Sequence, residues 1–442
     1  MANPIMCYYT LSGINYKNGF VTSCPQQSDK LHVYKDTHII KPSEIINSEG
    51  FKTHRKEMMS GSWSKGCHLC KEAEDIASHS MRQDYQADAK YYNNETGEVD
   101  LASIKHIELR FSNACNMACL HCSDVYSSGW MSKLKNYQSD EEDKKHKLIQ
   151  LTKTFHKQSS DEDLTISISM EEMEKIVDDL NNNFPNIEKI DFAGGEVLYQ
   201  KQFFPCLDKL SNHPNAKNIY LTFHTNFNTD FDPVRLAELL SKFKKGILHL
   251  SLDAGTNIYP YFRTGNWEVL KSNIKKFREA DKISELSIVC TTSAYQIMDI
   301  ENVFESFLTL DINRIDASIV YTPRYMNPSV MTLKFKNEVY NDIQNTYKLI
   351  TEEKNKRMNN LHEYTHLSSW NPVFRKFEDI ESALNAVRFI EQYVFNRQAK
   401  IEEYNAFMVY IRKTDKIWKH NFNDYMKNYK FENDQLVRVE NV

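Results

Sequence analysis

Cys115, Cys119 and Cys122 stand four and three residues apart, a C-x3-C-x2-C triplet with His121 directly before the last thiol. Three thiolates on so short a segment can grip one metal centre together. A cubane [4Fe–4S] cluster takes four ligands, usually thiolates, so the triplet would leave one iron with an open position. An open position is what separates a reactive metal site from a structural one. Zinc is the competing occupant, but structural zinc sites usually present two ligand pairs and close all four positions. Beside this triplet no second ligand pair follows; His106 precedes it on the strand and His121 lies between two of its cysteines.

The residues that follow supply groups a bound molecule could use. An apolar run over 104–111 leads into the triplet, and a second over 187–193 ends in Gly194, Gly195 and Glu196. Two glycines let backbone approach a ligand closely, and a carboxylate can accept from an ammonium. A third run, 218–223, opens into His224, Thr225 and Asn226, and a fourth, 246–253, carries Ser251 and Asp253 at its carboxyl end. Arg263 follows, a permanent cation suited to a carboxylate. Singly, these read as a turn, a helix cap and a surface residue. In this order, at successive strand ends, they occupy the positions where α/β sheets and barrels keep their chemistry.

Together they resemble the signature of the radical S-adenosylmethionine (SAM) superfamily, over about half the chain, from near Ile104 to near Tyr321. The resemblance implies that the open iron of a [4Fe–4S] cluster on Cys115, Cys119 and Cys122 chelates SAM, which is split to a 5′-deoxyadenosyl radical. It places Gly194, Gly195 and Glu196 at SAM's amino group, Ser251 and Arg263 at its carboxylate, and His121 at its adenine. Asp253 and Asn226 would serve the ribose or their own loops.

The elements that must hold these residues alternate. Strands at 104–111, 187–193, 218–223, 246–253, 283–290 and 314–321 are separated by helical patterns near 127–134, 169–180, 202–210, 233–243, 267–280 and 300–308. Ser169 and Glu172 form a capping-box pattern ahead of Met173, Ile176, Val177 and Leu180. The fold class is α/β, and the resemblance sharpens it to a partial (β/α)6 barrel over 101–330. Residues 135–163 are polar and densely charged and read as an insertion that buries no core, either mobile or a solvated helix over 141–155. From 331 to 442 the pattern is mainly helical, with helices at 333–355, 380–396 and 401–413.

Residues 1–100 hold Cys7, Cys24, Cys67 and Cys70, the last two a C-x2-C pair. Asn18-Gly19 between Tyr16 and Val21 reads as a hairpin turn. The pattern resembles the twitch module of radical SAM enzymes, which implies an auxiliary [4Fe–4S] cluster on these four thiols; a closed zinc site on the same four cysteines stays open as the alternative. Cys206 reads as a packing residue. Cys290, at a strand end, faces either the core or the cavity, where it would be a hydrogen-atom donor to a substrate radical.

The net charge of -5 over 442 residues argues against a whole-molecule field for nucleic acid. No apolar stretch has the length of a membrane span and the start lacks a signal-peptide core, so a cytoplasmic enzyme is expected. Nine cysteines in a reducing compartment point to metal rather than disulfides. The resemblance implies a flavodoxin- or ferredoxin-type reductant. The expected reaction is oxidation or rearrangement of a small molecule, sugar or nucleotide derivative. Modification of a peptide is the alternative, and a zinc-stabilised binding scaffold is the non-catalytic one.

Overall fold

Period-two burial organises the strands. Along Lys245–Ser251 the residues Gly246, Leu248 and Leu250 are buried, while Lys245, Ile247, His249 and Ser251 are half-buried. Side chains alternate faces along a strand, so one face packs and the other is polar. The computed structural model describes residues 3–17, 19–75, 79–151, 167–359, 372–398 and 400–439.

The strands are β1 (Gly13–Lys17), β2 (Phe20–Thr22), β3 (His106–Arg110), β4 (Lys189–Ala193), β5 (Tyr220–Thr225), β6 (Lys245–Ser251), β7 (Glu285–Thr292), β8 (Arg314–Ile319), β9 (Tyr429–Glu432) and β10 (Gln435–Arg438). The first eight form one sheet in the order β2-β1-β3-β4-β5-β6-β7-β8. Pairing is parallel for β1 with β3, β3 with β4, β4 with β5, and β7 with β8. The fold is therefore α/β with a many-stranded parallel sheet, and the six expected barrel strands are β3 to β8. The hairpin around Gly19 forms, with Tyr16 opposite Val21.

The described residues fall into two compact units, one within 1–113, 161–223 and 235–247, the other within 114–160, 224–234 and 248–442. In the first unit the helix Met170–Asn183 starts on the expected capping box, Ser169 with Glu172, and buries Met173, Ile176, Val177 and Leu180. Asp179 on that helix accepts from the Ser43 amide and hydroxyl, both at 2.7 Å. In the second unit the helices Trp267–Ala280, Ile300–Leu308, Leu333–Asn359, Pro372–Phe395 and Ile401–Trp418 follow the expected helical regions.

β1 hydrogen-bonds to β3, so the amino-terminal hairpin extends the sheet by two strands. One expectation needs correction. The charged stretch after Leu134 does bury core: Leu148, Gln150 and Leu151 are at most 2% exposed and Asp143 is fully buried. Its helix, Glu141–Lys145, stops well short of 155, and residues 152–166 lie outside the described residues. The carboxyl-terminal region is mainly helical, as expected, and ends in the antiparallel pair β9 and β10, turned through Asn433 and Asp434 at φ of 49° and 58°.

Candidate metal and cofactor site

Residues 114–127, which carry the thiol triplet, form bends and turns rather than helix or strand. Irregular buried backbone must find hydrogen-bond partners from elsewhere. Here they are mostly side chains. Ser127 Oγ donates to the Met117 carbonyl at 2.6 Å, Trp418 Nε1 to Ala118 at 3.0 Å, Trp130 Nε1 to Cys119 at 2.7 Å and the Tyr410 hydroxyl to Leu120 at 2.5 Å. The Gln150 amide donates to the carbonyls of both Leu120 and Cys122. On the amide side, Ala118 N donates to Thr264 Oγ1 at 2.9 Å and Leu120 N to the Phe262 carbonyl at 2.9 Å. A Cβ on Gly265 would lie 2.2 Å from the Met117 methyl group, which would have to move aside.

Cys119 is buried and Cys115 and Cys122 are half-buried. Burial, with Cys115 alongside, pushes the Cys122 thiol up to about 12, and burial raises Cys119 as well. Thiols gathered in a dry place resist ionising together; a bound metal centre reverses that balance. Among the described residues, no three His, Cys, Asp or Glu side chains are drawn together as the ligands of a single ion.

Beside the loop stands a buried ion pair. Arg263 Nη1 donates to Asp253 Oδ2 at 2.6 Å, and Asp253 Oδ1 accepts from the Thr291 amide at 2.6 Å. Asp253 adopts a left-handed conformation (φ 53°) two residues beyond β6, which turns its carboxylate back toward these partners. His121 lies parallel to Phe262 at 5.0 Å between centroids, with Nε2 3.6 Å from the same Asp253 oxygen. Burial lowers its pKa to about 4, so the imidazole is neutral at pH 7. Two buried polar atoms here have no hydrogen-bond partner among the described residues, His121 Nδ1 and Arg263 Nε.

The structure gives the other expected residues of this unit definite places. Asn226 donates to Asn116 Oδ1 at 2.9 Å and accepts from the Asn228 amide at 2.8 Å, so it braces its own loop and the thiol loop. Ser251 is the half-buried last residue of β6. β7 continues to Thr292, and Cys290 is buried along with Leu286 and Ile288, with Ala317 as its partner across to β8. Its thiol is 3.8 Å from Thr292 Oγ1, and burial together with the nearby Asp253 carboxylate raises its pKa.

That polar face was missed in the sequence. His224 and His249 bring their rings to 4.8 Å, His249 Nδ1 meets Ser287 Oγ at 2.8 Å, and Ser318 Oγ donates to Thr291 Oγ1 at 3.2 Å. The period-two alternation of Leu248, His249, Leu250 and Ser251 was the available signal.

In the other unit, Gly194 has φ 118° and a Cβ there would fall 2.6 Å from the Ser112 carbonyl, so only glycine fits. Gly195 N donates to that same carbonyl at 3.0 Å. Glu196 is 1% exposed and its Oε1 accepts from the Leu198 amide at 3.1 Å, which caps a short helical turn. Cys7, Cys24, Cys67 and Cys70 line one pocket with Tyr9, Trp63 and Arg82. Arg82 holds the Met6 carbonyl at 2.8 Å and Glu74 through two nitrogens, which fixes the chain beside Cys7. Burial, then Cys7, pushes the Cys24 thiol up to about 12. Cys206 is fully buried in the helix Phe203–Leu210.

Residues 109–293 match the family model of the Radical SAM superfamily. This stretch is a radical SAM domain. A comparison with curated proteins found no match. Solved structures similar to the chain include native anSMEcpe with bound AdoMet (19% identity, covering 50% of this chain and 52% of that one, TM-score 0.35). SuiB from Streptococcus suis bound to precursor peptide SuiA matches at 14% identity over 69% of this chain and 60% of that one, TM-score 0.33. The Escherichia coli coproporphyrinogen III oxidase HemN matches at 9% identity over 66% and 52%, TM-score 0.31. The chain thus spans about half to three-fifths of these chains' lengths. A radical SAM domain implies a [4Fe–4S] cluster and SAM, and the residues present fit them: three thiols share one braced loop, and two orphaned donors or acceptors lie buried beside it. No described helix is long and apolar enough to cross a membrane.

Proposed function

We propose that the chain is a radical SAM enzyme whose cluster is held by Cys115, Cys119 and Cys122. The observation that carries this reading is the thiol loop itself, which lies within the matched residues 109–293 and is braced by side-chain donors from Trp130, Tyr410 and Trp418. Bound there, a [4Fe–4S] cluster with SAM supplies a 5′-deoxyadenosyl radical for abstraction of hydrogen from a substrate C–H bond. Arg263 presents its unused Nε to SAM's carboxylate while Asp253 fixes the guanidinium. Neutral His121, flat on Phe262, offers Nδ1 and a ring face to adenine. Trp130, Trp418 and Tyr410 exclude water behind the loop, which protects a radical from quenching.

The polar row His224, His249, Ser287, Thr291 and Ser318 supports a hydroxylated small molecule, sugar or nucleotide derivative over an apolar substrate. Cys7, Cys24, Cys67 and Cys70, lining one pocket, support an auxiliary [4Fe–4S] cluster able to take the electron that a substrate radical sheds as it loses a proton to become the oxidised product. A flavodoxin- or ferredoxin-type protein in the cytoplasm would supply the reducing electron. The test is anaerobic reconstitution followed by iron and sulfide analysis and SAM turnover under dithionite. The wild type should release 5′-deoxyadenosine and methionine, and Cys119→Ala should release neither. Zinc in place of iron, with no deoxyadenosine, would return the chain to a binding scaffold.

A further inference from the structure

The carbonyls of Met117, Ala118, Cys119, Leu120 and Cys122 all accept side-chain hydrogen bonds. Two of these donors sit on the far helix Ile401–Trp418: the Tyr410 hydroxyl on Leu120 and Trp418 Nε1 on Ala118. Both side chains are buried, at 0% and 3% exposure. They belong to an aromatic layer in which Trp418 meets Trp130 edge-on at 4.7 Å and Tyr410 meets Tyr325 at 4.9 Å. Tyr325 in turn donates to Gln150 Oε1 at 2.9 Å, which orients the Gln150 amide toward Leu120 and Cys122.

A carbonyl oxygen carries partial negative charge, and in a dry site each uncompensated charge is felt strongly. A donor on that oxygen neutralises part of it and holds it turned toward the donor. A cluster ligated by thiolates becomes one charge more negative on reduction, and its potential follows the charge and hydrogen bonding around it. The donors on 117–122 therefore favour the reduced state.

Resting on the reading of Cys115, Cys119 and Cys122 as cluster ligands, we infer that Tyr410 and Trp418 are positioning residues that raise the cluster's reduction potential through the loop carbonyls. The helix Ile401–Trp418 is then part of the metal site, although none of its side chains is a ligand. Tyr410→Phe and Trp418→Phe each delete one donor and keep an aromatic ring, so the packing is largely retained. Gln150→Glu replaces a donor by an acceptor of the same shape and is the independent check.

The experiment is a redox titration of the reconstituted full chain, followed by low-temperature electron paramagnetic resonance of the signal that shifts on adding SAM. That criterion selects the triplet's cluster from any other. Iron content near that of the wild type with a more negative midpoint in Tyr410→Phe, Trp418→Phe and Gln150→Glu supports the inference. Unchanged midpoints in variants that keep their iron overturn it, as does a midpoint that moves for the two aromatic variants and not for Gln150→Glu. A wild type that shows no SAM-sensitive signal at all overturns the underlying reading of the triplet instead.

Discussion

Arg263 and Asp253 form an ion pair at 2.6 Å with side chains only 6% and 2% exposed. A guanidinium expected to serve a bound carboxylate is already tied to an internal one. Its remaining capacity, with Nε orphaned, is what a ligand can use. The pair thus positions as much as it binds.

Removing one partner leaves a buried charge uncompensated, which typically costs about 3–5 kcal/mol. Asp253→Ala should lower the chemical-denaturation midpoint accordingly, and Arg263→Ala should do so too while weakening SAM binding roughly ten-fold to a hundred-fold. The double variant should lose clearly less stability than the sum of the singles. Additive losses would mean the two groups do not feel each other in solution.

The amino-terminal thiols make a separate prediction. In Cys115/Cys119/Cys122→Ala, the pocket of Cys7, Cys24, Cys67 and Cys70 should still bind about four irons and give a SAM-insensitive resonance when reduced, every iron being thiolate-bound. Metal analysis and low-temperature resonance decide it. Zinc with no iron would remove the auxiliary electron acceptor and leave the radical SAM domain untouched.

His54 predicts a pH dependence. It is buried among Thr10, Ser23 and Gln27, and burial, then the neighbouring Arg55 cation, lowers its pKa to about 4 against a partial opposing pull from Asp29. The unfolded chain binds its proton more readily, with a value near 6.5. The stabilising contribution is therefore complete above that value and is lost as pH falls from 6.5 toward 4, by about 3 kcal/mol in all. Urea denaturation across that window should show the loss, and His54→Gln should flatten it. A wild-type profile already flat there would mean that His54 is accessible to protons in the folded state.

Much of the fold was legible because it is locally encoded. The strand-helix alternation of β3 to β8, the capping box at Ser169 and the turn at Gly19 each rest on residues close together in sequence. What escaped depends on distant partners. The segment holding Leu148 and Gln150 looks solvated by composition, and only the carbonyls of Leu120 and Cys122 and the hydroxyl of Tyr325 give Gln150 a reason to be buried. Nothing in Gly13–Lys17 names β3 as its partner. The burial of Cys290 could have been read, since it continues the alternation of Leu286 and Ile288, but the strand's end was placed two residues early.

The donors on the thiol loop also set an order of assembly. Trp418 follows Ala118 by 300 residues and Tyr410 follows Leu120 by 290. At about 5–20 residues per second, a ribosome that has made the three thiols needs roughly 15–60 s more to deliver the residues that brace them. During that interval the loop lacks the backing that keeps water and oxidants from its sulfurs. On the proposed reading of the triplet as cluster ligands, iron loading would follow synthesis of the helix Ile401–Trp418.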